Sequence, residues 1–173
     1  MATASVVPSG GTTSLLLERE VQVAALRDLT DAARSGGGRF VVIEGSAGIG
    51  KTRLLAEGRT IAGSAGMRVL AARGGELEGE FAYGIVRQLF EPLLAAVSPD
   101  LRVELLSGPA ARIASLLGAS QPADSEDAAA EGSFAVVHGL YWLAANVALQ
   151  RPTLLAIDDL HWADTPPCGG CCT

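Results

Sequence analysis

The tightest constraint on the fold is the run Gly45-Ser46-Ala47-Gly48-Ile49-Gly50-Lys51-Thr52, which fits G-x-x-x-x-G-K-[ST]. With average residue frequencies its four fixed positions coincide by chance in about one window in 10⁴. Context strengthens the match. Before it, Arg39-Phe40-Val41-Val42-Ile43-Glu44 reads as a short, buried, β-branched strand bounded by glycines, and a helix is expected from about Gly50 to Ala62. Glycines at 45, 48 and 50 let the backbone turn its N–H groups inward around a phosphate without Cβ clashes. The helix that follows aims its positive end at the same anion. Lys51 then reaches the β- and γ-phosphates, and the Thr52 hydroxyl is placed to ligate Mg²⁺. Gly45, Ser46, Ala47, Gly48, Ile49, Gly50, Lys51 and Thr52 are therefore the candidate phosphate-binding residues.

Charge usage supports the same spot. Lys+Arg total 13, and Lys51 is the single lysine. A compact ammonium fits a tight backbone cradle that the wide planar guanidinium does not, which gives a reason for the exception.

Past the loop, Met67 to Ala72 predicts a second strand, so a strand, helix, strand unit and a parallel sheet are implied. Before it, Leu17, Val21, Leu26 and Leu29 suggest an amphipathic helix from Leu15 to Arg34, closed by Gly36-Gly37-Gly38. Phe81, Ile85 and Leu89, with Val86, Phe90 and Leu94, recur at helical spacing, and Pro92 is expected to kink or interrupt that helix. A weaker helical stretch, Asp100 to Leu117, leads to the polar segment Gly118 to Glu131, read as an exposed loop. Ser133 is a candidate cap for a helix from Phe134 to Leu149 that Pro152 stops. His138, Tyr141 and Trp142 on that helix are assigned to packing. The uncharged stretch Gly132 to Gln150 is read as a buried or amphipathic helix and not a membrane span, because His138, Gly139, Asn146 and Gln150 interrupt it.

The third strand, Thr153 to Ile157, ends in Asp158-Asp159. A hydrophobic strand terminating in two carboxylates is the arrangement of a Walker B segment. Asp158 is the candidate metal-side carboxylate opposite Thr52, and Asp159 the candidate catalytic residue, orienting the attacking water while Lys51 holds the phosphates. Strand alternation sends the two carboxylates to opposite sides, so they are not expected to share one role. His161 is read as a structural turn residue and Trp162 as core.

Composition bounds the rest. At 173 residues, 49% hydrophobic and 18% charged, the chain is about one folded domain. A net charge of −6 argues against nucleic-acid binding through a basic face. The first twenty residues lack the layout of a secretory signal, which makes the cytoplasm the expected compartment.

With GSAGIGKT and LLAIDDLHWAD together, the chain resembles the signal-transduction ATPases with numerous domains (STAND), a branch of the AAA-like P-loop proteins. More closely, it is similar to the N-terminal ATPase region of large ATP-binding regulators of the LuxR type. LLEREVQVAALRDLTDAA, FAYGIVRQLFEPLL and FAVVHGLYWLAANVA support this, from about Leu15 to Pro166. Glu18 stands where such proteins usually carry the glycine of Gly-Arg-Glu.

The resemblance implies an α/β fold, the P-loop NTPase three-layer αβα parallel sheet, incomplete at the C-terminus. It also implies ATP and Mg²⁺ as ligands, and a switch between closed and open states in a transcriptional regulator. Strand order in that family is 5-1-4-3-2, so the strand between the phosphate-loop strand and the acidic strand is expected after residue 173. Two hydrophobic edges then lie unpaired unless they meet each other or another chain, so self-association is an expected partner relation alongside ATP. DNA contact is assigned to a separate helix-turn-helix domain of the parent, and none is expected from this segment. Hydrolysis is expected to be slow or nil without a completing arginine and lid.

The resulting organisation is a flexible segment 1–14, a partial P-loop ATPase domain 15–167, and a non-native-looking tail 168–173. The three cysteines crowd into that tail, which makes neither a disulfide framework nor a convincing zinc site. A one-base shift of reading frame in GC-rich codons would turn Cys-Gly-Gly-Cys-Cys-Thr into Leu-Arg-Arg-Leu-Leu-His, so a frameshifted fragment is the expectation. Two other functions stay open: a non-catalytic nucleotide-binding or interaction fragment, and a small P-loop kinase. A GTPase is disfavoured because Asn146 is the only asparagine and no N-K-x-D segment occurs.

Overall fold

A computed structural model describes residues 19–75, 83–118 and 132–160. The expectations for residues 1–18, Phe81, 119–131, His161, Trp162 and the tail 168–173 lie outside the described residues, as does the side chain of Ser133.

Helix α1 (Glu20–Arg34) and helix α2 (Lys51–Ser64) form where the apolar spacing and the loop predict them. The end of α2 sets up the first strand. Gly66, at φ 81°, donates its N–H to the Gly63 carbonyl at 3.0 Å, and Met67 donates to the Ala62 carbonyl at 2.9 Å. This paired closure needs a left-handed residue, which glycine takes without a Cβ penalty. It turns the chain straight into β1 (Arg68–Arg73).

Strand β2 (Thr153–Asp158) pairs parallel to β1, with Arg68 opposite Thr153 and Arg73 opposite Asp158. Backbone bonds extend the pairing at both ends, from Arg68 N–H to the Pro152 carbonyl at 2.8 Å and from Gly74 N–H to the Asp158 carbonyl at 3.0 Å. Alternation along β1 divides its two faces. Leu70 and Ala72 enter the main core, whereas Val69 lines an open depression with Ala56, Arg59 and Thr60 of α2. Helices therefore cover both faces of the strand pair, the layering expected of a parallel sheet. The neighbours β1 and β2 are the second and third strands of the expected order.

The core joins Leu70 and Ala72 to Ile85, Leu89, Phe90 and Leu94 of α3 (Gly84–Ala96), Leu105 of α4 (Pro99–Leu105), and Ala110 and Ile113 of the 3-10 helix Gly108–Ile113. Leu143 and Val147 of α5 (Gly132–Gln150) close it. Gly139 permits the tight approach of α5 to the 3-10 helix, since a Cβ there would lie 2.9 Å from Ile113 Cγ2. Asn146 Nδ2 donates to the Leu105 carbonyl at 3.0 Å and so satisfies a backbone acceptor at the end of α4.

Three expectations are corrected. Residues 39–44 do not form a buried strand: they carry no strand assignment, and Phe40, Val41 and Val42 are 88%, 47% and 59% exposed. An apolar β-branched run becomes a strand only where another strand takes up its N–H and C=O groups. Among the described residues β1 and β2 pair only with each other. Of the kink or interruption expected at Pro92, the interruption does not occur: α3 runs through it to Ala96. The stretch 100–117 is not one helix: α4 starts at the cap Ser98, whose hydroxyl accepts from Leu101 N–H at 3.3 Å with Pro99 in the first turn, and Leu106 and Ser107 separate it from the 3-10 helix, which Gly108 opens at φ 62°. The packing expected of His138, Tyr141 and Trp142 is among themselves and Phe134, outside the core. Trp142 Nε1 donates to His138 Nε2 at 3.0 Å, and Phe134, His138, Trp142 and Tyr141 pack on one another along an outward side of α5. Among the described residues no helix is long and apolar enough to cross a membrane.

Candidate nucleotide-binding site

The loop 45–52 is open to solvent and built on left-handed glycines. Gly48 has φ 77° and Gly50 φ 91°, and a Cβ on either would meet nothing within 4 Å, so backbone conformation and not crowding requires glycine there. Helix α2 starts one residue later than expected, at Lys51, with Gly50 as its N-cap. No side chain caps that end, and no acidic residue occupies its first turn. The N–H groups of Lys51 and Thr52 thus lie outside the helix's own ladder, at its positive end. An anion is the natural partner for such a terminus.

Lys51 Nζ donates to the carbonyl oxygens of Gly45 and Ser46 at 2.9 and 3.1 Å. The ammonium is folded back over the loop, where carbonyl acceptors stand in for phosphate oxygens. Thr52 is exposed, one position farther into α2. A contact that sequence reading missed comes from Arg19, whose guanidinium donates to the Ile49 carbonyl and ties the start of α1 to the loop.

Asp158 is the last residue of β2, and α2 packs against that strand. Asp159 follows with φ 50°, an uncommon conformation for a non-glycine residue. The backbone N–H of Asp159 donates to Asp158 Oδ1 at 3.1 Å. Asp159 lies past the strand end, and its left-handed turn sends the carboxylate to β1, where Arg73 meets it at 2.9 Å from Nη2. The structure brings Lys51 to its own loop and Asp159 to Arg73; among the described residues no hydrogen bond or ion pair joins the loop to Asp158 or Asp159.

A family model described as an AAA ATPase domain matches residues 15–167. The chain belongs to the AAA ATPase domain family. Membership implies nucleotide binding and the P-loop αβα fold, which agrees with a parallel strand pair clad by helices on both faces and is incomplete by comparison with a full sheet. The chain matches no curated protein and no solved structure.

ATP and Mg²⁺, the ligands that an AAA ATPase domain implies, fit the residues present. The uncapped α2 terminus and the left-handed glycines suit phosphate oxygens, and Thr52 carries a hydroxyl of the kind that ligates Mg²⁺. Among the described residues no three His, Cys, Asp or Glu side chains cluster. Mg²⁺ that takes most of its ligands from phosphates and water requires no such cluster.

Proposed function

We propose that this chain is the ATP·Mg²⁺-binding core of a multidomain signal-transduction ATPase of the LuxR-regulator type, located in the cytoplasm. The single observation that carries the nucleotide reading is the uncapped, acid-free N-terminus of α2, with Gly50 left-handed before it and the Lys51 ammonium bent over the loop. In this reading the N–H groups around Gly45 to Thr52 bind the phosphates and Lys51 exchanges its two carbonyl partners for β- and γ-oxygens. Thr52 and Asp158 hold Mg²⁺, which when bound neutralises charge on the phosphates. Asp159 orients the attacking water. DNA contact belongs to another domain of the parent. The exposed Phe40, Val41 and Val42 support self-association.

A second reading, a nucleotide-binding module without turnover, is favoured by the engagement of Asp159 with Arg73. Titration with ATP and GTP in the presence of Mg²⁺, followed by a phosphate-release assay, separates the alternatives. Saturable ATP binding is expected, with slow release that Asp159→Asn abolishes. Binding without any release supports the module, and no binding of either nucleotide contradicts both.

A further inference from the structure

Residues 39–44, Arg-Phe-Val-Val-Ile-Glu, run between Gly38 and Gly45 without helix, turn or bend, and none of the six has a positive φ. Among the described residues their main-chain N–H and C=O groups make no hydrogen bond, and Phe40, Val41 and Val42 stand exposed. Six residues is an ordinary strand length, and an aromatic and β-branched run without proline suits one. Exposed and unpaired, such a run is a template for a strand from another chain. Its two ends carry opposite charges, Arg39 at the start and Glu44 at the finish, with only apolar residues between them. Arg39 donates to the adjacent Gly38 carbonyl at 3.0 Å, and among the described residues neither Arg39 nor Glu44 has an ion-pair partner.

We propose that residues 39–44 pair antiparallel with the same six residues of a second copy of this chain, about a two-fold axis. The pairing rests on the self-association proposed above and not on the ATP site. Charge selects both the occupant and its direction. In an antiparallel pair the Arg39 end of each strand lies beside the Glu44 end of the other, so both ends of the ribbon are complementary. A parallel pair sets Arg39 beside Arg39 and Glu44 beside Glu44, and like charges across a strand pair are destabilising. A segment whose start complements its own finish fits a copy of itself, as the self-complementary patch of a two-fold interface must. Gly36-Gly37-Gly38 before the run and Gly45 after it offer no side chains to extend the ribbon. A two-stranded ribbon of this length is marginal in water, so the expected form is a reversible dimer that depends on concentration.

Sedimentation velocity on the full chain, over a range of concentrations and without nucleotide, provides the test. A monomer–dimer equilibrium is expected for the wild type. Arg39→Glu and Glu44→Arg each set like charges at both ends of the ribbon and should weaken the dimer about 5- to 20-fold. The double variant Arg39→Glu/Glu44→Arg exchanges the ends and should restore it, and an equimolar mixture of the two single variants should associate as a heterodimer. Both positions are exposed, so far-UV circular dichroism should show the same helix content throughout. Wild-type protein that stays monomeric at every concentration overturns the pairing together with the self-association reading. A dimer that neither charge reversal weakens, or that the double exchange fails to restore, overturns the pairing alone and moves self-association to another surface. Growth beyond the dimer overturns the two-fold arrangement.

Discussion

Replacing Lys51 with alanine is expected to weaken ATP·Mg²⁺ binding about 10- to 100-fold, the loss that follows from removing charge-assisted hydrogen bonds to phosphate. Among the described residues the side chain is bonded only to carbonyls of its own loop, at 2.9 and 3.1 Å, so the melting temperature should barely move. Lys51→Arg should fail to restore binding, since a planar fork does not fit over left-handed glycines as an ammonium does. Fluorescence polarisation with a labelled ATP analogue measures the affinity, and far-UV circular dichroism shows whether the fold is intact. An unchanged Kd in Lys51→Ala contradicts the assignment of the loop.

The largest stability effect is expected at Leu143. It is fully buried on α5, in the cluster that joins α3, α4 and the 3-10 helix to β1. Leu143→Ala removes that contact and leaves a cavity, at a cost of about 2–5 kcal/mol. For a chain of this size the melting temperature should fall on the order of 10 °C. Leu149, 83% exposed on the same helix, provides the comparison: Leu149→Ala should stay within about 0.5 kcal/mol of wild type. Differential scanning calorimetry on the three proteins measures both. Equal melting temperatures for the two variants contradict the placement of the core on the Leu143 side of α5.

Local chemistry made much of this legible in the sequence. The loop is a contiguous pattern, so its glycines, Lys51 and Thr52 can be read without knowing any neighbour. The helices that hold it and the strands at 68–73 and 153–158 follow from periodicity, glycine closures and Pro152. What the sequence concealed is nonlocal. Phe40 to Ile43 has the composition of a buried strand, but pairing is a property of what lies beside it, and among the described residues no strand does. Arg73 and Asp159 are 86 residues apart, and they meet only because β1 and β2 share a register that sets Arg73 opposite Asp158. The strand order that the resemblance implies sets the second strand beside the acidic one, but the strand read from the sequence ends at Ala72, one residue short of Arg73.

Helix α5 shows a different limit. Its residues are apolar nearly all the way round, so periodicity gives no means of choosing which side is buried. Assigning Tyr141 and Trp142 to packing does not say on which side they pack; Gly139, Leu143 and Val147 take the core side, where a glycine lets the 3-10 helix approach closely. The break within 100–117 was readable in principle. Ser98-Pro99 is a capping pair, and Gly108-Pro109 cannot continue a helix that has just ended.

The most direct test of the central claim follows the backbone amides of the loop by two-dimensional ¹⁵N–¹H NMR while ATP and Mg²⁺ are added. The account predicts saturable shifts concentrated at the N–H groups of Gly45 to Thr52 and at Asp158, with little change at Leu143 or Val147 in the core. Shifts that bypass the loop, or a spectrum that ATP·Mg²⁺ leaves unchanged, contradict it.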